Sequence, residues 1–284
     1  MMRSVYVLGV ALVSLVGCVD LPNESPSTVS RLLPNRLLPN RISAARVSAS
    51  RIAASHLADG RLTVNPDSTD ELLATEDGRE VFSLIVSCAL PDDVTLVASI
   101  DGNEFEFFGE AGLAPRWVSR PLDRDGQRWV SACLFSRLNA NEVALPISTR
   151  GGNQGLDVSA DERAGWTLEE GAFYGNFFGP VNQPLQWYAC RGRDQAAGEV
   201  GGLIGRDCAE PDPANPGFTK CGFIFAGDCG DFGGDRACES FARNGTYYRR
   251  CHTAPIEKRH DCGRDDHGRE SQVFAEVITT FVLP

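Results

Sequence analysis

Lysine is almost missing from this chain. Lys220 and Lys258 are the only two among 284 residues, so nearly all positive charge is arginine. That skew fits GC-rich coding better than a function. Basic charge is also scarce where a nucleic-acid partner would need it. Residues 67–284 hold 20 of the 27 basic residues and 35 of the 38 acidic ones, a net of −15. Phosphate contacts require Lys and Arg on the binding face, so this balance argues against nucleic acid as a partner. An acidic body does favour solubility. The sequence also lacks the patterns G-x-S-x-G, S-x-x-K, H-E-x-x-H and the phosphate loop, so no common catalytic motif marks it as an enzyme. No two cysteines have the C-x₂₋₄-C spacing of a zinc site.

Long apolar runs are missing too. Val5 to Val16 is apolar over twelve residues. At about 1.5 Å per residue, that falls well short of a hydrocarbon core of about 30 Å. With Arg3 before it, the run reads as the core of a secretory signal. It ends in Leu15-Val16-Gly17-Cys18, which resembles the lipobox of bacterial lipoprotein precursors. The resemblance implies that residues 1–17 are removed and that Cys18 carries lipid, with palmitate among its acyl chains. Each buried CH₂ adds about 0.8 kcal/mol to anchoring. Residue 19 is Val, not the Asp associated with inner-membrane retention in that family. The resemblance therefore implies an outer-membrane address, periplasmic or surface-facing, with the membrane reached through the lipid anchor.

From Arg31 to Arg61 an Arg or His recurs every five residues: Arg31, Arg36, Arg41, Arg46, Arg51, His56 and Arg61. Five residues advance a helix by an odd fraction of a turn and alternate faces of a strand, so the period fits neither. The pattern resembles the pentapeptide-repeat family, whose chains wind as a four-sided β-helix. That would turn Leu32, Leu37, Ile42, Val47, Ile52, Leu57 and Leu62 inward. So few repeats bury little surface, and Pro34 and Pro39 remove backbone donors. The favoured reading is a lipid-anchored tether over 18–66 with repeat-like sequence, ahead of a globular body over 67–284. Arginine close to a bilayer attracts anionic headgroups.

Within the body, "VFSLIVSCAL" (81–90) places Phe82, Leu84, Val86, Cys88 and Leu90 on one face, which predicts a β-strand. "VTLVASI" (94–100), Asp101-Gly102 and "NEFEFF" (103–108) predict a hairpin with a type I′ turn. In "QRWVSACLFSRLN" (127–139) the period changes to i, i+4, which predicts an amphipathic helix. Asp125 is its expected cap, and Asn139 or Asn141 its close. "EVALPIS" (142–148) reads as an edge strand because of Pro146. "QVFAEVITTFVL" (272–283) reads as a central strand. The expected fold class is α+β, mainly β: an antiparallel sheet with one clear amphipathic helix and a disulfide-rich lobe.

With Cys18 assigned to lipid, nine cysteines remain, and seven lie within 190–262. That stretch is rich in Gly and Asp and offers little core, so an exported chain would staple it with disulfides. Cys88 and Cys133 both fall on apolar faces. Either a bridge or two buried thiols would satisfy that placement, and the bridge is preferred here. The pairing inside 190–262 stays open. The stretches "QRWVSACLFSRLN", "EGAFYGNFFG", "YAC" and "CGFIFAGDCGD" resemble uncharacterised cysteine-rich lipoproteins of GC-rich Gram-negative bacteria, which carry no activity over.

Two further clusters have chemical content. His252, His260 and His267 stand near Asp261, Asp265 and Asp266. Such a set reads as a polar loop of the lobe, or as ligands for a divalent metal or a general base. Asp228, Asp231 and Asp235 miss the ligand spacing of a calcium loop. Phe173, Tyr174, Phe177 and Phe178, interleaved with glycine, read as core with tight turns or as the floor of a glycan or peptide groove. Trp117, Trp129, Trp166 and Trp187 present the same choice. The resulting expectation is a membrane-anchored envelope lipoprotein that binds an envelope protein or glycan or supports the envelope. No cofactor is implied. The alternative is an exported hydrolase, metal- or His-dependent.

Overall fold

The computed structural model describes residues 29–31, 49, 51–62, 71–139, 145–179, 182, 185–200, 206, 208–230, 236–239, 241–242, 246–253 and 272–284. Residues 1–17, read as a secretory signal, Cys18 and most of the five-residue repeats lie outside these residues.

The centre is a six-stranded sheet. In sheet order it contains β1 (Val29–Arg31), β6 (Pro146–Arg150), β12 (Ile278–Val282), β7 (Leu168–Asn176), β8 (Gln186–Arg191) and β9 (Ile224–Asp228). All neighbours run antiparallel except β8 and β9. The C-terminal β12 lies inside the sheet and is buried along its whole length, as its β-branched, apolar sequence suggests. The predicted strand over 272–283 is broken, however. Val273–Phe274 forms β11, which pairs with β10 (Cys251–His252) in the lobe. β6 is not the edge expected from Pro146, because β1 covers it. Pro146 opens the strand opposite Arg31, a position that tolerates proline.

Alternation along β8 assigns the two faces. Trp187 and Ala189 point into the helical layer, whereas Tyr188 and Cys190 point into the cysteine-rich lobe. The helical layer holds α1 (Glu76–Ala89) and α2 (Arg124–Ser136). α2 packs on β7, and α1 packs on α2. Phe135, Phe173, Phe223 and Trp187 meet edge-to-face at 5.3–6.2 Å between ring centroids.

Residues 81–89 are helical and Leu90 caps the helix, in place of the strand expected over 81–90. Val81, Phe82, Leu84, Ile85, Val86, Cys88 and Ala89 are all buried. A segment apolar on nearly every side fits both periods over ten residues. The decision comes from upstream, where Thr75 Oγ1 accepts the Gly78 N–H at 3.0 Å and Glu76 and Asp77 occupy the first turn. The described residues therefore hold a second long helix. α2 begins at Arg124, three residues before the expected start at 127. Asp123, not Asp125, caps it by accepting the Gly126 N–H at 2.9 Å, and Arg137 closes it.

β4 (Thr95–Ile100) and β5 (Asn103–Phe108) form the hairpin. Asp101 and Gly102 take φ of 50° and 78° in its turn, as a type I′ turn requires. Phe107 meets Phe82 of α1 edge-on at 4.8 Å.

Residues 51–62, from the stretch read as a tether, pack on this body. A helical turn ends in the short hairpin β2 (Leu57–Ala58) and β3 (Arg61–Leu62). Ile52 and Leu57 are buried in the main core. The Trp117 indole N–H donates to the Ser55 carbonyl at 2.8 Å, and the Val97 N–H to Gly60 at 3.0 Å. A helical turn followed by a hairpin is not one repeated coil, and the packed body extends upstream of residue 67.

Among the described residues, four disulfides cross-link the fold: Cys88–Cys133, Cys190–Cys229, Cys208–Cys221 and Cys238–Cys251, with Cα separations of 5.9, 4.9, 4.7 and 4.0 Å. Cys88–Cys133 joins α1 to α2. Cys262 lies outside the described residues.

Candidate functional site

A cleft of about 210 Å³ opens between the 3₁₀ turn Pro115–Val118 and the start of α2. Its floor is the Trp117 ring, which is buried and whose N–H is already committed to Ser55. Trp129, half-buried on α2, forms one wall. Pro115 and Pro121 add rigid apolar surface. Arg116, Asp123 and Asp125 stand exposed at the rim. Gly126 lets the wall close, since a Cβ there would meet the Ala114 Cβ at 3.3 Å. The half-buried Trp129 indole, with carboxylates and a guanidinium at the rim, suits a ligand with one apolar face and several hydroxyls. The sequence flagged both tryptophans without separating them from core. Two prolines and two tryptophans within residues 115–129 were the available signal.

The histidine cluster is not assembled among the described residues, because His260 and His267 lie outside them, as do Asp261, Asp265 and Asp266. His252 is buried on β10, with Nε2 3.7 Å from Glu239 Oε1. Its carbonyl accepts the Tyr174 hydroxyl at 2.6 Å. Asp228 pairs with Arg191 at 2.8 Å, and Asp231 and Asp235 lie outside the described residues. Among the described residues, the group close enough to hold a metal is Cys190, Cys238 and Cys251. All three sulfurs are in disulfides and are not thiolates.

Phe173, Tyr174, Phe177 and Phe178 are buried. They form core rather than the floor of a groove. Gly175, at φ 145°, has its Cβ position 2.0 Å from the Gln186 carbonyl oxygen, so glycine here serves strand packing.

Buried charges on β7 carry a second polar arrangement. The ladder with β12 shifts by one residue, with Thr280 opposite Gly171 and Phe281 opposite Glu169. Glu170 is the extra residue of a β-bulge, which re-aims side chains. Glu169 turns to the lobe, where its Oε1 accepts the Tyr248 hydroxyl at 2.8 Å. Glu170 turns to the helices. It pairs with Arg206 at 2.7 Å and accepts the Thr280 hydroxyl at 2.8 Å. Arg206 also donates to the Ser136 carbonyl at the end of α2, where a cation complements the helix dipole. Burial pushes the Glu169 carboxyl above its usual range, against the pull of Tyr248 and Arg193. Burial and the adjacent Glu169 raise the Tyr248 phenol. Burial alone would raise Asp194. The Arg193 fork and the Glu169 N–H outweigh it and hold that carboxyl below its usual value. Ser87, between Glu110 at 2.6 Å and Arg137 at 2.7 Å, uses its hydroxyl to tie α1 to α2.

No protein-family model, curated protein or solved structure matches the chain. No helix among the described residues is long and apolar enough to cross a membrane.

Proposed function

We propose that this chain is an exported lipoprotein, held at the outer membrane by an acylated Cys18, whose stapled body is a binding module for an envelope partner. An envelope glycan is the partner class that suits the cleft best. The observation that carries this reading is the half-buried Trp129 indole set beside the exposed Arg116, Asp123 and Asp125 around one opening. A sugar ring lays its C–H face on an indole and offers its hydroxyls to carboxylate and guanidinium groups. Four disulfides support export, because such bonds persist in oxidising compartments. Cys88–Cys133 also ties α1 to α2, the helix that carries Trp129, and a pre-ordered wall lowers the ordering cost of association. The hydrolase alternative gains no assembled His–Asp set among the described residues.

Two experiments test the parts separately. Cys18→Ser should move the protein from the membrane to the soluble fraction and abolish palmitate labelling; retention at the membrane contradicts the anchor. Titration with soluble peptidoglycan fragments and lipopolysaccharide-core oligosaccharides, followed by indole fluorescence, reads the cleft. Saturable quenching that Trp129→Ala weakens at least about tenfold supports the glycan reading, corresponding to about 1.4 kcal/mol. Binding that Trp129→Ala leaves unchanged, or no binding, contradicts it.

A further inference from the structure

The lobe's core is built around four cysteines that are wholly buried: Cys190 on β8, Cys229 just after β9, Cys238, and Cys251 at the start of β10. They form two disulfides, Cys190–Cys229 and Cys238–Cys251. The two bonds lie against each other. Sγ of Cys190 is 3.4 Å from Sγ of Cys238, which is contact distance for two sulfurs that are not bonded. Sγ of Cys251 lies within 4.8 Å of both.

The backbone holds these positions whichever sulfurs are joined. The Cys229 N–H donates to Arg191 O at 2.9 Å, and the Cys238 N–H to Cys229 O at 3.0 Å. Glu239 N–H donates to Arg250 O and His252 N–H to Ala237 O, each at 2.9 Å. Cys238 and Cys251 are also bridge partners in an antiparallel pair. Exchange between the bonds therefore asks for side-chain rotation and leaves the strands in place.

We propose that these four cysteines form a single thiol–disulfide exchange unit, whose two-electron-reduced state carries a Cys190–Cys238 bond whichever disulfide is reduced first. The balance is as follows. An external dithiol reduces Cys238–Cys251 and leaves as its own disulfide, giving two thiols. The Cys238 thiolate attacks Sγ of Cys190. The Cys190–Cys238 bond forms, the Cys190–Cys229 bond breaks, and Cys229 departs as a thiolate that takes up a proton. No further electrons move. If Cys190–Cys229 is reduced first, the Cys190 thiolate attacks Sγ of Cys238 and expels Cys251. Both routes converge on one bond and on free thiols at Cys229 and Cys251. The second step is intramolecular between sulfurs already in contact, so it outruns a second encounter with reductant. The lobe thus keeps a covalent tie to β8 after losing one disulfide.

The test is partial reduction of the purified full chain with limiting dithiothreitol under native conditions, followed by acid quench, alkylation and tryptic mapping. Trypsin cuts after Arg191, Arg236, Arg243 and Arg250, so the four cysteines fall in separate peptides. The expected single-bond species joins the Cys190 and Cys238 peptides, with alkylated Cys229 and Cys251. A second sample, Cys229→Ser with Cys251→Ser, should form Cys190–Cys238 on air oxidation and show no free thiol at either position. Single-bond species containing only Cys190–Cys229 or Cys238–Cys251 would overturn the proposal. Should the double variant fail to fold, the partially reduced wild type decides alone.

Discussion

Glu170 and Arg206 face each other across 2.7 Å, Oε1 to Nε, and neither side chain touches solvent. The pair exists because the bulge on β7 turns Glu170 toward the helices. Removing one partner strands a buried charge. Glu170→Ala or Arg206→Ala alone should each cost about 3–5 kcal/mol in chemical denaturation. Glu170→Leu combined with Arg206→Met should cost much less than the sum of the two. Additive losses would contradict a coupled buried pair.

Glu169 carries a pH signature. Its folded-state carboxyl is raised above 4.5, chiefly by burial, so the folded state holds the proton more tightly than the unfolded chain. Ionising it in place penalises the fold at neutral pH, and the penalty is relieved as pH falls through the folded value toward 4.5. Glu169→Gln should therefore raise the melting temperature at pH 7.5, with an advantage over wild type that shrinks as pH approaches 4.5. Asp194, held below its usual value, stays ionised in both proteins across this window. An advantage independent of pH contradicts this account.

Cys88–Cys133 closes a loop across 45 residues and joins α1 to α2. Cys88→Ser with Cys133→Ser should lower unfolding free energy by about 2–4 kcal/mol, read from urea midpoints. An unchanged midpoint would mean that the bond does not constrain the unfolded chain.

Gly102 and Gly175 separate backbone strain from crowding. A Cβ at Gly102 meets nothing within 4 Å, and its φ is 78°. Gly102→Ala should cost only the left-handed penalty, about 1–2 kcal/mol. A Cβ at Gly175 would strike the Gln186 carbonyl oxygen at 2.0 Å, so Gly175→Ala should cost about 3 kcal/mol or more in the same assay. Equal costs would contradict the strand geometry described for β7 and β8.

Where local chemistry decides conformation, the sequence was readable. Asp101-Gly102 specifies its turn, and the i, i+4 apolar spacing of α2 admits no strand. Residues 81–90 were misread because a helix buried nearly all round carries no periodic stripe, and its start signal, Thr75 with Glu76 and Asp77, lies upstream of the apolar run. The bulge at Glu170 depends on register with β12, more than a hundred residues away. The pairings in the lobe depend on which strands meet, which cysteine spacing does not encode. The cleft was half legible: both tryptophans stood out, but only packing separates the buried Trp117 floor from the half-buried Trp129 wall.

The most direct measurement is a non-reducing peptide map, with intact mass, of the protein extracted from the envelope of its own cells. The account predicts a mature chain that starts at an acylated Cys18 and carries Cys88–Cys133, Cys190–Cys229, Cys208–Cys221 and Cys238–Cys251. A chain retaining residues 1–17, with those eight cysteines as thiols, would contradict it.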